Sequence, residues 1–362
     1  MTRVLTVLLL GAGLAGCSPV YVVRAGIEEA RILSRRRPIT EVIRDPVTDS
    51  TTRRKLELVL QARDFSDRVL RLGAGDSYTT YSYVDSDTLL LVVSASRSDR
   101  FEAYTWWFPI VGRVPYKGFF DFDDAHRAAA RLERRGYDTY VRPSGAFSTL
   151  GWFNDPLLNT VLRYDDVALA GTVIHEILHN SIYLPSRVSF NESFANFVGE
   201  RGVAEFFCTR DGENSPRCTL ARDNWQDNLR FAAFLSALVA ELEHVYGRTD
   251  IDAPRKLELR HEIFERARRN FTDVIEPQLR TGAYRGFARR PINNATLIGT
   301  RLYYDRLALF EAVYQHWGGD FVAAVHAIMA AARANPDDPY GATAALLSAP
   351  RPSGAPPPPR LD

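Results

Sequence analysis

The chain carries almost no net charge, because its 45 lysines and arginines balance 44 aspartates and glutamates and leave +1 at pH 7. A nucleic-acid-binding protein is expected to have a strong basic excess, so this balance argues against that class of function. Lysine is scarce, with 3 Lys against 42 Arg, a bias that we attribute to genome composition. The sequence shows no internal repeat. Hydrophobic residues make up 46% and charged residues 25% of the chain, as in a soluble globular protein.

The start of the chain lacks an apolar run long enough to cross a membrane. Arg3 precedes an apolar stretch from Val4 to Leu10, and small residues follow up to Cys17, a pattern typical of a secretory signal. The ending Leu-Ala-Gly-Cys resembles a bacterial lipobox, which implies cleavage before Cys17 and lipid on its sulfur. The alternative is a plain signal peptide with an incidental cysteine. Ser18 resembles the sorting pattern for outer-membrane retention, so we expect a lipid-anchored envelope protein that faces the periplasm.

Cysteine is scarce as well, with three in the chain. Once Cys17 is lipidated, Cys208 and Cys218 remain, separated by a polar segment. A disulfide between them would fit an oxidising periplasm or cell exterior. Two free thiols or an auxiliary metal site are the alternatives.

Histidine is also rare, yet two of the seven lie in the run His175-Glu176-Ile177-Leu178-His179. A chance match to this pattern is on the order of one in a hundred. Helical side chains four residues apart differ in direction by only about 40°, so His175 and His179 can bind one zinc ion. Glu176 lies beside that face, where a general base could reach a metal-bound water. The alternative is a pair of hydrogen-bonded core histidines.

The flanking residues support a buried helix and suggest a third ligand. Asp165 or Asp166 offers an N-cap, apolar residues recur up to Leu178, and Pro185 marks the end. The next helix is expected to start near Ser189 to Asn191, so that Glu192 can turn back towards the histidines. A competing explanation is a capping box between Ser189 and Glu192. A glutamate at this distance after the histidine pair is what a zinc site of two histidines and one glutamate requires, so we predict Glu192 as the third ligand.

The run Asn191-Glu192-Ser193-Phe194-Ala195 after the histidine motif resembles the gluzincin peptidases, and more closely a bacterial family of predicted aminopeptidases, many of which look like lipoproteins. This resemblance covers most of the mature chain. It also rests on short stretches outside the histidine motif: Arg37–Ile39, Trp107–Gly112, Tyr116–Phe120, Ser148–Phe153 and Asn293–Ala295.

The resemblance implies a zincin-like fold, zinc as the cofactor, and hydrolysis of a peptide substrate. Tyrosine donates to the developing oxyanion in many gluzincins, and Tyr303 aligns with the family pattern, with Tyr304 as the neighbouring candidate; both are expected near the start of a late helix. An aminopeptidase also needs a carboxylate for the substrate's amino terminus, and Glu200 and Asp155 are candidates. A zinc endopeptidase, a cell-wall peptide hydrolase and a non-catalytic envelope scaffold are the alternative functions. The sequence does not set the oligomeric state.

The order of the predicted elements indicates an α+β fold, with mixed strands up to about residue 185 and mostly helix afterwards. Residues 17–348 are expected to form the peptidase domain, and Ala349–Asp362 a disordered Pro-rich tail. Residues Gly145–Leu150 are predicted to be either the edge strand that binds substrate or an ordinary buried strand. Strands are expected at Thr79–Val93, Arg100–Val114 and from Thr139, and helices at Ala25–Leu72 (broken at Pro38 and Asp45–Thr52), Phe122–Arg135, Arg222–Leu242, Pro254–Gln278, Tyr303–Trp317 and Phe321–Ala332.

Overall fold

The structure, a computed structural model, describes residues 30–85, 88–108, 112–144 and 156–349. Several sequence predictions lie outside these ranges: the signal segment, Cys17 with its lipid, the strand proposed at Gly145–Leu150, Asp155, and the tail after Ala349. Within the described ranges, no helix combines the length and the apolar character needed to span a bilayer.

The first half of the chain contains every strand of the described residues. Its helices are α1 (Ile39–Arg44), α2 (Ser50–Asp64) and α3 (Phe122–Glu133), and a π-helical turn, Phe65–Val69, extends α2. The strands are β1 (Arg37–Pro38), β2 (Thr80–Ser82), β3 (Leu90–Arg97), β4 (Trp106–Phe108), β5 (Gly112–Val114), β6 (Tyr116–Phe119), β7 (Tyr137–Ser144) and β8 (Leu157–Leu158).

The strands form small separate sheets. Strand β3 lies between β6 and β7 and is antiparallel to both, whereas β2 pairs antiparallel with β1 and parallel with β8. Strands β4 and β5 form a hairpin. The range Thr79–Val93, predicted to be strand, holds two separate strands, because the chain leaves β2 at Ser82 and enters a different sheet at Leu90.

The second half of the described chain is helical. It consists of α4 (Asp166–Ser181), α5 (Val188–Asp211), α6 (Pro216–Gly247), α7 (Ala253–Asn270), α8 (Asn294–Tyr304), α9 (Leu307–His316), α10 (Phe321–Ala334) and α11 (Pro339–Ala345). Side chains that accept hydrogen bonds from first-turn amides begin most of these helices, for example Asp165 at α4 and Ser215 at α6. The predicted α+β class is confirmed.

The helix predicted over Tyr303–Trp317 is present from Leu307 to His316, but its predicted start is wrong. Helix α8 ends at Tyr304 and α9 begins at Leu307, because Arg306 between them adopts a left-handed conformation, with φ of 51°. Tyr303 therefore lies at the end of a helix and not at its start. The sequence pattern missed α8 because its apolar residues alternate with Asn294, Thr296 and Gly299, which the packing buries.

The main hydrophobic core surrounds α4 and α5. Phe194, Phe197 and Phe310 pack ring against ring between α5 and α9, with centroid distances of 5.3 to 6.4 Å. A disulfide between Cys208 and Cys218 joins the end of α5 to the start of α6, with the Cα atoms 4.7 Å apart. The two helices that carry the histidine motif and Glu192 therefore lie within the main core.

Candidate metal centre

Helix α4 presents the two histidines of the motif on one side. Asp165 accepts hydrogen bonds from the backbone amides of Val167 and Ala168, which fixes the first turn. The imidazole rings of His175 and His179 lie 5.1 Å apart, centroid to centroid, and His179 is almost fully buried. The two histidines, four residues apart, therefore lie on the same side of the helix, as helix geometry predicts.

Glu192 faces the histidines from helix α5. Its Oε2 lies 3.6 Å from Nε2 of His175 and 3.9 Å from Nε2 of His179. The capping box with Ser189 does not form: α5 begins at Val188 without a side-chain cap, and the Ser189 hydroxyl donates to Asp305 at 3.0 Å. The glutamate is thus directed at the imidazoles and not at its own helix terminus.

The three side chains fit a zinc ion. One ligand atom from each of His175, His179 and Glu192 lies within 4.8 Å of the others. Donors of a tetrahedral zinc site with bonds of about 2.0 to 2.2 Å are about 3.4 Å apart, close to the two distances to Glu192. Nδ1 of His179 is buried and has no hydrogen-bond partner among the described residues, whereas its Nε2 faces Glu192. Two imidazole nitrogens and one carboxylate are a donor set that zinc favours.

Burial and charge have opposite effects at the three groups. Burial lowers the pKa of His179 to about 4, so this ring is neutral and its Nε2 lone pair is available. Burial also disfavours protonation of His175, but its hydrogen bond to Glu192 and the charges of Glu176, Glu192 and Glu200 outweigh this effect and raise its pKa. Burial favours the neutral form of Glu192, yet the histidines and Arg142 hold its pKa below the usual range.

Tyr303 lies beside the three candidate ligands, and Glu176 follows His175 in the motif. The charge of Glu176 helps to raise the pKa of both His175 and Tyr303. The Tyr303 ring centroid lies 6.2 Å from that of His175. Burial, together with the charge of Glu192, raises the pKa of Tyr303 well above its normal value. Its hydroxyl therefore stays protonated and can donate a hydrogen bond.

Helix α8 brings Tyr303 to the site, and the motif at Asn293–Ala295 anchors that helix. Asn293 caps α8 by accepting from the Thr296 amide, and buried Asn294 donates to the Arg97 carbonyl and accepts from the Tyr246 hydroxyl. The Tyr303 end is held by α5, where the Asn196 amide donates to the Tyr303 carbonyl at 2.8 Å.

Tyr304, the neighbouring candidate, contacts other residues than the candidate metal ligands. Its hydroxyl lies 3.2 Å from that of Tyr284, and its ring packs edge-on against Phe231 in a second hydrophobic cluster. Burial raises its pKa to about 12. The structure therefore favours Tyr303 over Tyr304 as the donor.

Glu200, a candidate anchor for the substrate's amino terminus, lies two turns after Glu192 on α5. Burial raises its pKa, while a hydrogen bond from Asn228 and the charge of His175 partly oppose this. A buried carboxyl with a raised pKa is a weaker binder of an ammonium group than an ionised one. The other candidate, Asp155, lies outside the described residues.

The sequence analysis missed the residues that hold the two helices together. Asn191, immediately before Glu192, accepts from the Leu184 amide and donates to the Leu184 carbonyl, and so clamps the connection between α4 and α5. Gly199 lies against His175 and Gly171, where a Cβ would meet backbone at 2.8 Å. The position of Asn191 next to a predicted ligand was a usable signal, whereas that of Gly199 was not.

Cys208, Cys218 and Glu213 also lie close enough together to hold a metal ion. The disulfide between the two sulfurs removes the thiolates that such a site would use. The predicted disulfide is therefore present, and the auxiliary metal site is not the arrangement that the structure shows.

Comparison with known proteins gives one family. Residues 20–338 match the family described as "Putative aminopeptidase". No curated protein and no solved structure gives a significant match.

Proposed function

The chain belongs to this aminopeptidase family, and on that premise we propose that it is a zinc-dependent peptidase of the gluzincin type with a zincin-like fold. The observation that carries the proposal is the convergence of His175 Nε2, His179 Nε2 and Glu192 Oε2. These three side chains would hold the ion. Glu176 follows His175 in the same helix. When bound, zinc supplies Lewis acidity, which activates water for attack and polarises the scissile carbonyl.

Residues of the chain itself carry out the proton transfer and stabilise the oxyanion. The Glu176 carboxylate accepts the proton of the attacking water and passes it to the leaving amine, because it is held next to His175 without being a ligand. The Tyr303 hydroxyl donates a hydrogen bond to the oxyanion as its charge develops.

The test compares the wild-type protein with Glu176→Gln. We expect both to contain zinc by metal analysis, and the variant to lose peptide hydrolysis by about 100-fold or more, since it lacks the general base. Glu205→Gln is the matched control, because Glu205 lies on α5 and pairs with Arg201 at 2.9 Å outside the site. Purified protein that contains no zinc and cannot be reconstituted would refute the proposal.

The family name favours aminopeptidase over endopeptidase activity. Peptides with free and with acetylated amino termini separate the two, since an aminopeptidase should cleave only the free form. Cleavage of the acetylated peptides at the same rate would establish the endopeptidase alternative.

We also propose that lipid on Cys17 anchors the protein in the bacterial outer membrane, where the Cys208–Cys218 disulfide suits the oxidising periplasm. Metabolic labelling with a radioactive fatty acid should mark the wild-type protein and not Cys17→Ser. Equal labelling of both would contradict the anchor.

A further inference from the structure

Arg142 is brought to the site by the alternation of strand β7. Val141 packs with Val93 and Ala125 on the face of the sheet that helix α3 covers. Successive side chains of a strand point to opposite faces, so Tyr140 and Arg142 point to the other face, towards α8.

Helix α8 approaches that face closely at Gly299. A Cβ there would lie 3.2 Å from the Tyr140 ring, so only glycine allows this distance without a shift. Gly299 and Tyr303 are four residues apart and share one side of α8, just as Tyr140 and Arg142 are two apart on β7. The close approach at Gly299 therefore sets Arg142 against Tyr303.

The guanidinium of Arg142 has few contacts among the described residues, although its charge acts on Glu192. Its Nη2 lies 3.4 Å from the Tyr303 hydroxyl, and the guanidinium carbon lies 5.7 Å from the Tyr303 ring centre. Its Nε is buried without a hydrogen-bond partner among the described residues, as is that of Arg260, and no described carboxylate forms an ion pair with Arg142. By contrast, Arg260 in the same region is paired with Asp138.

A partly buried guanidinium without an ion-pair partner is costly unless a ligand satisfies it. The positive charge of Arg142 indicates the charge that such a ligand should carry. Arg142 places a positive charge against the Tyr303 hydroxyl, and its Nε offers an N–H without an acceptor among the described residues. An anionic group is therefore favoured next to Tyr303, and a planar fork of N–H donors matches a carboxylate.

We propose that Arg142 binds a carboxylate of the peptide substrate. That carboxylate lies within about one residue of the scissile bond, because the Tyr303 ring lies beside His175 and the Tyr303 hydroxyl contacts Arg142. The inference rests on the proposed peptidase function. Either the terminal carboxylate of a short peptide or an acidic side chain provides this chemistry, so the preferred substrates are short or acidic peptides.

The first experiment uses the wild-type protein. Alanyl-alanine is compared with its amide, and C-terminally amidated peptides that carry Glu on either side of the scissile bond are compared with their Gln counterparts. A preference for the free acid of alanyl-alanine identifies the terminal carboxylate, and a preference for Glu over Gln identifies the side chain. Equal hydrolysis within every pair overturns the inference and leaves the peptidase proposal intact.

The second experiment uses Arg142→Gln and Arg142→Lys. The ratio of kcat/KM for the preferred carboxylate substrate to kcat/KM for its uncharged counterpart should fall by about 30-fold or more in Arg142→Gln. Arg142→Lys should recover part of the loss, since it keeps the charge but not the fork of donors. Arg97→Gln is the matched control, because Arg97 lies over Tyr137 at 5.4 Å on the same sheet but pairs with Asp99. An equal loss for both substrates in Arg142→Gln would refute carboxylate binding.

A binding measurement separates this inference from the peptidase proposal. Calorimetry with Glu176→Gln should show tighter binding of the carboxylate peptide than of its amide, and Arg142→Gln in the same background should remove the difference. If wild type shows that binding preference but hydrolyses nothing, the peptidase proposal fails while the Arg142 assignment stands.

Discussion

Replacing Gly199 with alanine is expected to weaken both the fold and the metal centre. Gly199 lies where α5 crosses α4, and an added Cβ would be 2.8 Å from the Gly171 carbonyl oxygen and 2.9 Å from the His175 Cβ. Ordinary contact begins at 3.4 Å, so the helices must separate by about 0.6 Å at this point. Neither neighbour can rotate away, because one is backbone and the other is the first atom of a side chain.

The expected loss of stability follows from two opposing effects. Overpacking of a buried contact costs about 1 to 3 kcal/mol, while alanine in place of glycine returns up to about 1 kcal/mol through helix propensity. We expect a net decrease of about 1 to 2 kcal/mol in the free energy of unfolding, measured by urea denaturation. The displacement also moves His175 away from Glu192, so zinc affinity should fall by roughly 10-fold, measured by competition with a chromophoric chelator.

Gly171→Ala is the matched control on the facing helix. A Cβ at Gly171 would lie 3.6 Å from the Gly199 carbonyl oxygen and 3.7 Å from Val203, which is ordinary contact. This variant should keep wild-type zinc affinity and be as stable as wild type or more so, by up to about 1 kcal/mol. Equal destabilisation of the two variants, or unchanged zinc affinity in Gly199→Ala, would refute the argument that this crossing sets the site.

Two further predictions concern Tyr303 and the disulfide. Tyr303→Phe should lower kcat by about 100-fold with unchanged zinc content, because the ring keeps its packing but the oxyanion loses a donor; an unchanged kcat would assign that role to another group. Replacing Cys208 and Cys218 together with serine should lower the free energy of unfolding by about 2.7 kcal/mol, the chain-entropy value for their separation of 10 residues. Urea denaturation measures this loss, and two free thiols in the unreduced wild-type protein would contradict it.

The resemblance and the local spacing together anticipated much of the candidate site. Helix periodicity placed His175 and His179 on one face, and the N-cap at Asp165 was one of the two predicted. The histidine–Glu192 spacing suggested a third ligand but could not exclude the capping box. That choice was made by packing, since Asp305 accepts the Ser189 hydroxyl and Asn191 holds the connection at Leu184.

Contacts between residues far apart in the sequence were harder to predict. Tyr303 was expected at a helix start, yet it ends α8, because the helix boundary depends on the left-handed conformation at Arg306. Arg142 and Tyr303 are separated by 161 residues, and nothing local to either one predicts their contact. The two side chains meet because helix α8 approaches strand β7 closely at Gly299.

The sequence alone determined the α+β class and the helix that carries the histidine pair, because each depends on residues close together in the chain. It also favoured the pairing of Cys208 with Cys218, which the structure shows. Tertiary structure decided the direction of Glu192, the choice of Tyr303 over Tyr304 and the unpaired charge of Arg142. These depend on how helices and strands pack. Periodicity specifies which face of an element is buried but not which residue of another element it meets.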